Sequence, residues 1–347
     1  MTSKLSNIQG LRAIAVLLVL AVHIQYNEAR TDAEALLTPW LLHGVAGVDL
    51  FFVISGFVMV WITSSPDRSI NIARFLFNRA ARIYPAAWLW TTVAILGFAA
   101  AGTLGMWLEQ SGLVFSYLLL PQENPPLLGV SWTLIHELYF YLVFAGLLLL
   151  PRRLLPLGLA GWGLIIVLAQ LAGIARNGPW TSLVFHPLTF EFLGGAFLAL
   201  AAQRWRIPHG LWIAAAGGIA LLCGAIWLGL ERDAEFYTWW GRVMAFGPGA
   251  VLLVLGLVSL EQDNRWTMPG WMVWLGDISY TLYLSHLIVI STLARIWSRV
   301  VMDGPLDNLA FILVMSLAPV IVAHLAYRFF EKPVLAWSKQ LGRRWFG

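Results

Sequence analysis

Hydrophobic runs recur along the whole chain, separated by short polar breaks. A helix needs about 20 mostly apolar residues to cross the hydrocarbon core of a membrane. Ten runs come close to this length and predict an all-α integral membrane protein with its transmembrane helices in one bundle. The predicted spans are 8–26, 41–63, 83–103, 131–150, 154–174, 186–202, 211–230, 243–260, 274–293 and 308–328.

Residues 104–130 contain only a short apolar piece, from Leu113 to Leu120, and we expect a partial or surface helix there. We interpret residues 1–347 as a single transmembrane domain.

The composition agrees with a membrane protein, since 59% of the 347 residues are hydrophobic and only 12% are charged. Soluble domains carry about 25% charged residues, so a soluble globular enzyme is excluded. Disorder is excluded because it would leave this apolar surface in water. The single cysteine, Cys223, excludes a disulfide framework and a thiolate zinc site, and we interpret it as filler within a span.

The 22 Lys and Arg residues lie mostly between the apolar runs. Sixteen of them fall on the side of the amino terminus and six on the other side, so the positive-inside rule predicts that both termini are cytoplasmic. The inside group is Lys4, Arg12, Arg68, Arg74, Arg79, Arg82, Arg152, Arg153, Arg204, Arg206, Arg265, Arg328, Lys332, Lys339, Arg343 and Arg344. The outside group is Arg30, Arg176, Arg232, Arg242, Arg295 and Arg299. Topology explains most of the basic excess, so we expect no nucleic-acid partner.

The first apolar run also has features of a secretory signal peptide, with Lys4 and Arg12 before it and Ala33-Glu34-Ala35 after it. We favour a retained helix because the segment from Ile24 to Ala35 is long for a cleavage region. The run also carries a histidine, His23, that a disposable leader has no reason to keep.

Arg12 and His23 are ionisable residues in the first predicted span, where each costs several kcal/mol without a partner or a watery cavity. They are 11 residues apart, which is about three helical turns, so they share a face and lie roughly 16 Å apart along the axis. Arg12 is also explained as an ordinary inside anchor, and His23 as an interfacial histidine.

Arg79 and Arg82 are spaced i, i+3 and project from one side of the helix that leads into the third span. Two guanidinium groups on one face form a clamp for phosphate. Positive-inside topology is the simpler explanation, but the pair lies on the same side of the membrane as Arg12. A phosphorylated cytosolic ligand would meet all three arginines.

Two carboxylates also interrupt apolar spans. Glu137 has Tyr141 as its i+4 neighbour, and we expect Glu137 to pair with a histidine of another helix or to form a structural interhelical bond. Asp49 either orients a histidine or caps a helix, and Ser55-Gly56 offers a small surface for close helix approach.

Ser279, Tyr283 and His286 form one polar stripe on the ninth span. Trp132 and the tyrosines near it fit either a pocket or an aromatic belt. The further pocket candidates are Ser55, Trp132, Tyr141, Ser279, Tyr283 and His286. No spacing in the chain matches a metal site, and we expect no metal.

Taken together, these residues resemble the acyltransferase-3 family of membrane O-acyltransferases over nearly the whole chain. The Trp-Thr-Leu form of one block is most similar to the branch that decorates bacterial exopolysaccharides. The blocks are Gly10-Leu11-Arg12 with His23, Gly47 to Phe57, Arg79 to Pro85, Trp132-Thr133-Leu134 with Glu137, and Ile278 to Leu284 with His286, followed by Glu331-Lys332-Pro333.

The resemblance implies transfer of an acyl group, usually acetyl, from cytoplasmic acyl-CoA to a hydroxyl of a surface sugar. It implies a bacterial inner membrane and a glycan or lipid-linked sugar acceptor. Many members of the family add an esterase-like domain after the last helix, but only about twenty residues follow the tenth span here, so we expect the stand-alone form. Carried over by position, Arg12, Arg79 and Arg82 would hold the CoA phosphates and His23 would be the catalytic histidine. The chain does not identify the acceptor, the acyl chain length or the oligomeric state.

We expect His23 to act as general base, with Glu137 or Asp49 orienting its ring. An acyl-histidine relay across the membrane is the alternative mechanism. A transporter or flippase for a lipid-linked sugar is the rival function, and a membrane scaffold is a third interpretation.

Overall fold

The computed structural model describes residues 5–31, 35–63, 71–229, 239–300 and 304–346, and these form helices with no strand among them. The charges of Lys4, Arg68 and Arg232, and Ala33-Glu34 of the candidate cleavage site, lie outside the described residues. The helices are α1 Ser6–Thr31, α2 Ala46–Thr63, α3 Ile72–Ala100, α4 Leu104–Gln110, α5 Leu113–Leu118, α6 Trp132–Leu147, α7 Leu155–Leu171, α8 Pro179–Val184, α9 Thr189–Arg204, α10 Gly210–Leu228, α11 Trp239–Gln262, α12 Gly270–Trp297, α13 Pro305–Ala326 and α14 Lys332–Phe346.

Ten helical segments of the described residues are long and apolar enough to cross a membrane, and they correspond one to one with the ten predicted spans. The third helix begins at Ile72, eleven residues before its predicted start. Its first turns are rich in arginine, which hides them from a hydropathy pattern, and Asn71 caps them by accepting from the Arg74 amide at 2.9 Å. Pro85 lies inside this helix.

The stretch 104–130 contains α4 and α5, which at seven and six residues are too short to span a membrane. The expectation of a partial or surface helix is therefore confirmed as two short helices. A 3-10 turn, Gly129–Ser131, then leads into α6.

The described chain divides into two compact units. The first comprises α1, α2 and α9 to α13. Glycines let α1 pack closely in this unit: a Cβ on Gly276 of α12 would lie 2.0 Å from the Gln9 carbonyl oxygen, and one on Gly47 of α2 would lie 2.2 Å from the Ala15 oxygen. The interpretation as one transmembrane domain stays a prediction, as does the cytoplasmic position of both termini.

Helices α2 and α9 cross in the first unit with their backbones in contact. A Cβ on Gly56 would lie 1.9 Å from the Phe192 oxygen, and one on Gly195 would lie 1.9 Å from the Val53 oxygen. Real Cβ atoms do not approach an oxygen so closely, so both positions require glycine. Gly56 thus provides the close helix approach that the Ser55-Gly56 pair predicts.

The start of α1 is held by the end of α11. The two carboxylate oxygens of Glu261 accept from the backbone amides of Ser6 and Asn7 at 2.7 and 2.8 Å. These amides have no partner within α1, because the first N–H groups of any helix lack one. A carboxylate here also favours the positive end of the helix dipole.

The second unit comprises α3 to α8 and α14. A π-helical segment, Tyr327–Glu331, precedes α14, and the helical run continues to Phe346, well beyond the predicted end at residue 328. Gly342 of α14 packs against the Phe77 ring of α3, where a Cβ would lie 3.2 Å from the nearest ring carbon.

Candidate active site

His23 of α1 and His286 of α12 form a pair in the first unit. The Nε2 atom of His286 lies 3.2 Å from Nδ1 of His23, and the two rings meet edge to face with their centroids 4.8 Å apart. His286 is 1% exposed. His286, one residue of the polar stripe predicted on the ninth span, is therefore in direct contact with His23, the predicted catalytic residue.

The backbone contacts of the pair assign its tautomers. Nδ1 of His286 lies 2.7 Å from the Tyr283 carbonyl oxygen, and Nδ1 of His23 lies 2.9 Å from the Val19 oxygen. A carbonyl oxygen only accepts, so each Nδ1 carries its hydrogen and each Nε2 carries a lone pair. Among the described residues, no hydrogen-bond partner reaches Nε2 of His23, so this nitrogen is available as a base.

The imidazole pair is bordered by an apolar cluster that includes Leu20, Ile24 and Ile290. The Tyr283 ring also neighbours the pair, its centroid 5.8 Å from that of His286. The Ser279 hydroxyl donates to the Gly276 carbonyl of its own helix at 2.8 Å. Of the predicted stripe, His286 therefore adjoins His23, Tyr283 adjoins His286, and Ser279 bonds within α12.

Asp49 belongs to a buried ion pair with Arg242. The Nε atom of Arg242 lies 3.0 Å from Oδ1 of Asp49, and its Nη2 lies 2.7 Å from Oδ2. Nη2 also donates to the Val45 carbonyl oxygen at 3.0 Å. Asp49 is therefore not a hydrogen-bond partner of His23, whose Nδ1 contacts Val19 and His286 instead.

Arg242 corrects one assignment from the sequence, which placed it in an outer loop. The structure places it in the first turn of α11, 5% exposed. The hydropathy pattern starts this span at residue 243, just after the charge, because hydropathy contains no information about the carboxylate on another helix that neutralises it.

Glu191 of α9 is a buried carboxyl group that the sequence analysis missed. It is 1% exposed and interacts with both Asp49 and Arg242. The cost of a charge inside an apolar span, which pointed to Glu137 and Asp49, would have identified Glu191 as well.

Two of the predicted phosphate-binding arginines lie on α3 in the second unit. Arg82 forms a salt bridge with Glu331, which is 3% exposed. The Arg79 guanidinium lies over the rings of Phe75 and Tyr141, at 5.9 and 5.8 Å from their centroids. Its Nε has no hydrogen-bond partner among the described residues. Both rings stabilise the cation, and the Tyr141 hydroxyl also interacts with the guanidinium.

Glu137 accepts a short hydrogen bond from the Tyr141 hydroxyl, as the i, i+4 spacing predicts. Its pairing with a histidine stays a prediction. Trp132 packs edge to face against His136, with ring centroids 5.5 Å apart. Arg12 and Ser55 are half-buried residues of the first unit, so the joint action of Arg12 with Arg79 and Arg82 also stays a prediction.

A second imidazole pair, His136 and His186, occurs in the second unit with ring centroids 4.6 Å apart. Neither residue gave a pattern in the sequence, because a spacing of fifty residues carries no periodicity. In the part of the chain that the structure describes, no three His, Cys, Asp or Glu side chains group closely enough to hold a metal ion.

Comparison with known proteins shows what the chain is similar to. The acyltransferase domain family matches residues 5–328. The chain is 34% identical over 306 residues to the exopolysaccharide production protein ExoZ of Rhizobium meliloti (strain 1021), a match that covers 84% of this chain and 90% of that protein. It is 28% identical to the acyltransferase MdmB of Streptomyces mycarofaciens over 83% of this chain and 79% of that protein.

A more distant relative is the peptidoglycan O-acetyltransferase OatA of Listeria monocytogenes, 22% identical over 94% of this chain. The match covers 55% of that protein, so the chain spans about half of its length. No solved structure matches the chain. The family match covers most of the sequence, and the chain therefore belongs to the acyltransferase-3 family of membrane acyltransferases.

Proposed function

We propose that this protein transfers an acetyl group from cytoplasmic acetyl-CoA to a hydroxyl of an exopolysaccharide sugar. The family and the similarity to ExoZ, an exopolysaccharide production protein, support this reaction and this acceptor class. The name of the relative OatA, a peptidoglycan O-acetyltransferase, supports an acetyl group as cargo and a glycan as acceptor. A lipid-linked sugar is the form in which the acceptor would meet the membrane.

The observation that carries the proposal is the pairing of His23 with His286. Nε2 of His23 removes the proton of the acceptor hydroxyl as that oxygen attacks the thioester carbonyl. The C–S bond then breaks, the acetyl group stays on the sugar oxygen, and the proton passes from Nε2 to the departing CoA sulfur. The products are the acetyl ester and CoA thiol, so the protein returns to its starting state.

In this mechanism His286 orients the ring of His23, a role that we expected from the sequence for Glu137 or Asp49. When His23 becomes positively charged, its Nδ1–H faces both the Val19 oxygen and the lone pair on Nε2 of His286. These acceptors hold the ring in one tautomer and stabilise its charge. Neither carries a formal charge, so His23 is not locked in its protonated form before the reaction.

The arginines of α3 would bind the donor. Stacking over Phe75 and Tyr141 fixes the plane of the Arg79 guanidinium, and a fixed fork of N–H groups suits phosphate oxygens. The salt bridge to Glu331 similarly fixes Arg82. We propose that both bind CoA phosphates.

The test is transfer of a labelled acetyl group by purified protein in lipid vesicles, from acetyl-CoA to deacetylated exopolysaccharide, measured as alkali-labile label. We expect His23→Gln to lower transfer by about 10²- to 10⁴-fold, the usual contribution of a general base, with CoA binding retained. The matched control is His209→Asn, which changes an exposed imidazole at a positive φ that Asn tolerates. Equal transfer by wild type and His23→Gln would remove His23 from the mechanism.

The same vesicles address the rival function. A flippase would move a lipid-linked sugar between leaflets without acetyl-CoA, and its activity would not depend on the imidazole pair. Movement of the acceptor in the absence of donor, with no label transferred when donor is added, would favour the flippase over the acyltransferase.

A further inference from the structure

The carboxyl group of Glu191 lies in the first unit without a hydrogen-bond donor. The residue is 1% exposed, and neither of its oxygens has a partner among the described residues. A buried polar group without a partner is costly, so its surroundings require an explanation. The Asp49 carboxyl, which is 0% exposed, interacts with Glu191, and the helices that carry the two groups, α2 and α9, touch through their backbones at Gly56 and Gly195.

The guanidinium of Arg242 donates hydrogen bonds to Asp49 and is therefore not available as a donor to Glu191 through the same N–H groups. Its Nε lies 3.0 and 3.1 Å from the two oxygens of Asp49, and its Nη2 contacts Asp49 and the Val45 carbonyl. One positive charge therefore faces two carboxyl groups. If both were ionised, the buried cluster would carry a net negative charge and two acceptors would face each other.

We propose that Glu191 and Asp49 share one proton, and that together with Arg242 they form a proton-binding site inside the membrane domain. Glu191 then donates its O–H to Asp49, which satisfies the buried carboxyl and leaves the cluster neutral. Two carboxyl groups too close to ionise together share a proton in the same way in other proteins.

The charged and titratable groups around this proton come from three other helices: Asp49 from α2, Arg242 from α11, and Tyr283 from α12 within electrostatic reach of Arg242. The Tyr283 ring is also the neighbour of His286, at 5.8 Å between centroids. Tyr283 therefore interacts with Arg242 of the cluster and with His286 of the imidazole pair. A neutral cluster leaves that pair free of a strong nearby negative charge.

The experiment is infrared spectroscopy of the purified full-length protein at neutral pH, in H2O and in D2O. A protonated carboxyl group gives a C=O stretching band, distinct from the bands of a carboxylate, that shifts in D2O. We expect the wild-type minus Glu191→Gln difference spectrum to contain this band. The matched control is Glu123→Gln, an exposed carboxylate whose difference spectrum should lack it. A difference spectrum of Glu191→Gln without the band would overturn the proposal.

A second variant, Asp49→Asn, separates proton sharing from simple burial. It frees the Arg242 guanidinium, which is within electrostatic reach of Glu191, so Glu191 should ionise and its band should disappear although the residue is still present. Persistence of the band would mean that burial alone keeps the proton on Glu191, and the shared-proton assignment would be wrong. Neither measurement depends on acetyl transfer, so failure of the proposed function would leave this result unaffected.

Discussion

The Nε2 atom of His286 lies 3.2 Å from the Nδ1 atom of His23, and this contact joins residues 263 positions apart. It gives the candidate base a neutral partner in place of a carboxylate. The Nδ1–H of His23 faces the Val19 oxygen and this lone pair in both the neutral and the charged form, but a hydrogen bond donated by a charged ring is stronger than one donated by a neutral ring. The benefit of the contact is therefore greatest in the transition state.

Replacing His286 should lower turnover more than donor binding. The His286→Phe variant keeps a ring but removes the lone pair that faces the charged His23. Hydrogen bonds to charged groups contribute about 1.5–3 kcal/mol, so we expect kcat to fall about 10- to 100-fold with KM for acetyl-CoA nearly unchanged. His324→Phe is the control, since His324 packs against Trp274 away from the pair. An unchanged kcat would show that His286 only fills space.

Direct transfer predicts no acetyl-enzyme. Purified protein incubated with labelled acetyl-CoA and no acceptor should carry no stable label, because in this mechanism the sugar oxygen is the nucleophile. Stable label that is lost in His23→Gln would instead establish the acyl-histidine relay. Denaturation before gel filtration separates covalent label from bound donor.

Arg79→Lys should weaken CoA binding although the charge is retained. An ammonium group lacks the planar fork that lies over Phe75 and Tyr141, so the bidentate phosphate contact is lost. We expect the Kd of CoA to rise about tenfold or more, as for loss of one charge-assisted hydrogen bond. Titration calorimetry with CoA measures this change. The control, Arg153→Gln, removes an exposed arginine that is also predicted to be cytoplasmic, and it should bind CoA like wild type.

Gly195→Ala should destabilise the first unit. The new Cβ would lie 1.9 Å from the Val53 carbonyl oxygen, so α2 and α9 must separate. Overpacking of this kind costs about 1–3 kcal/mol, and we expect a lower Tm in detergent. Gly218→Ala is the matched control, because nothing lies within 4 Å of its Cβ position in α10. Equal melting temperatures for the two variants would contradict the close helix approach.

Both termini should be cytoplasmic. Epitope tags placed before Met1 and after Gly347 should resist protease added to intact spheroplasts and should be cleaved in inverted vesicles. The basis is the excess of Lys and Arg on one side of the predicted spans. Cleavage of either tag in intact spheroplasts would reverse or break the predicted topology.

Hydropathy predicts the helices well because length and apolar composition are local properties of the chain. All ten spans appear, but α3 starts eleven residues before its predicted start, because its first turns carry Arg74, Arg79 and Arg82, and the tenth helical run continues eighteen residues beyond its predicted end. A window average penalises such charges even where a helix cap and side-chain contacts support them. The polar stripe on α12 was also visible from the sequence, since helical periodicity is local too.

Which side chains pair between different helices could not be predicted from the sequence, because such pairs are not local in the chain. The i, i+4 bond from Tyr141 to Glu137 follows from spacing within one helix. In contrast, the ion pair of Asp49 with Arg242 joins residues 193 positions apart, and the ion pair of Arg82 with Glu331 joins residues 249 positions apart. Periodicity shows which face a residue occupies, but not which distant residue meets it. The same limit hides the neighbours of Glu191, which come from α2 and α11, although its position inside an apolar span was visible in the sequence.

The crossing of α2 and α9 sets the spacing of two acidic groups through the main chain. Asp49 lies one turn before Val53, and Glu191 one turn before Gly195, at the point where the backbones touch. No side chain separates the two backbones at this point, so the Cα atoms of the two acids cannot change their separation unless the helices themselves move. A change in membrane thickness would therefore tilt the two helices together and leave the register between Asp49 and Glu191 unchanged.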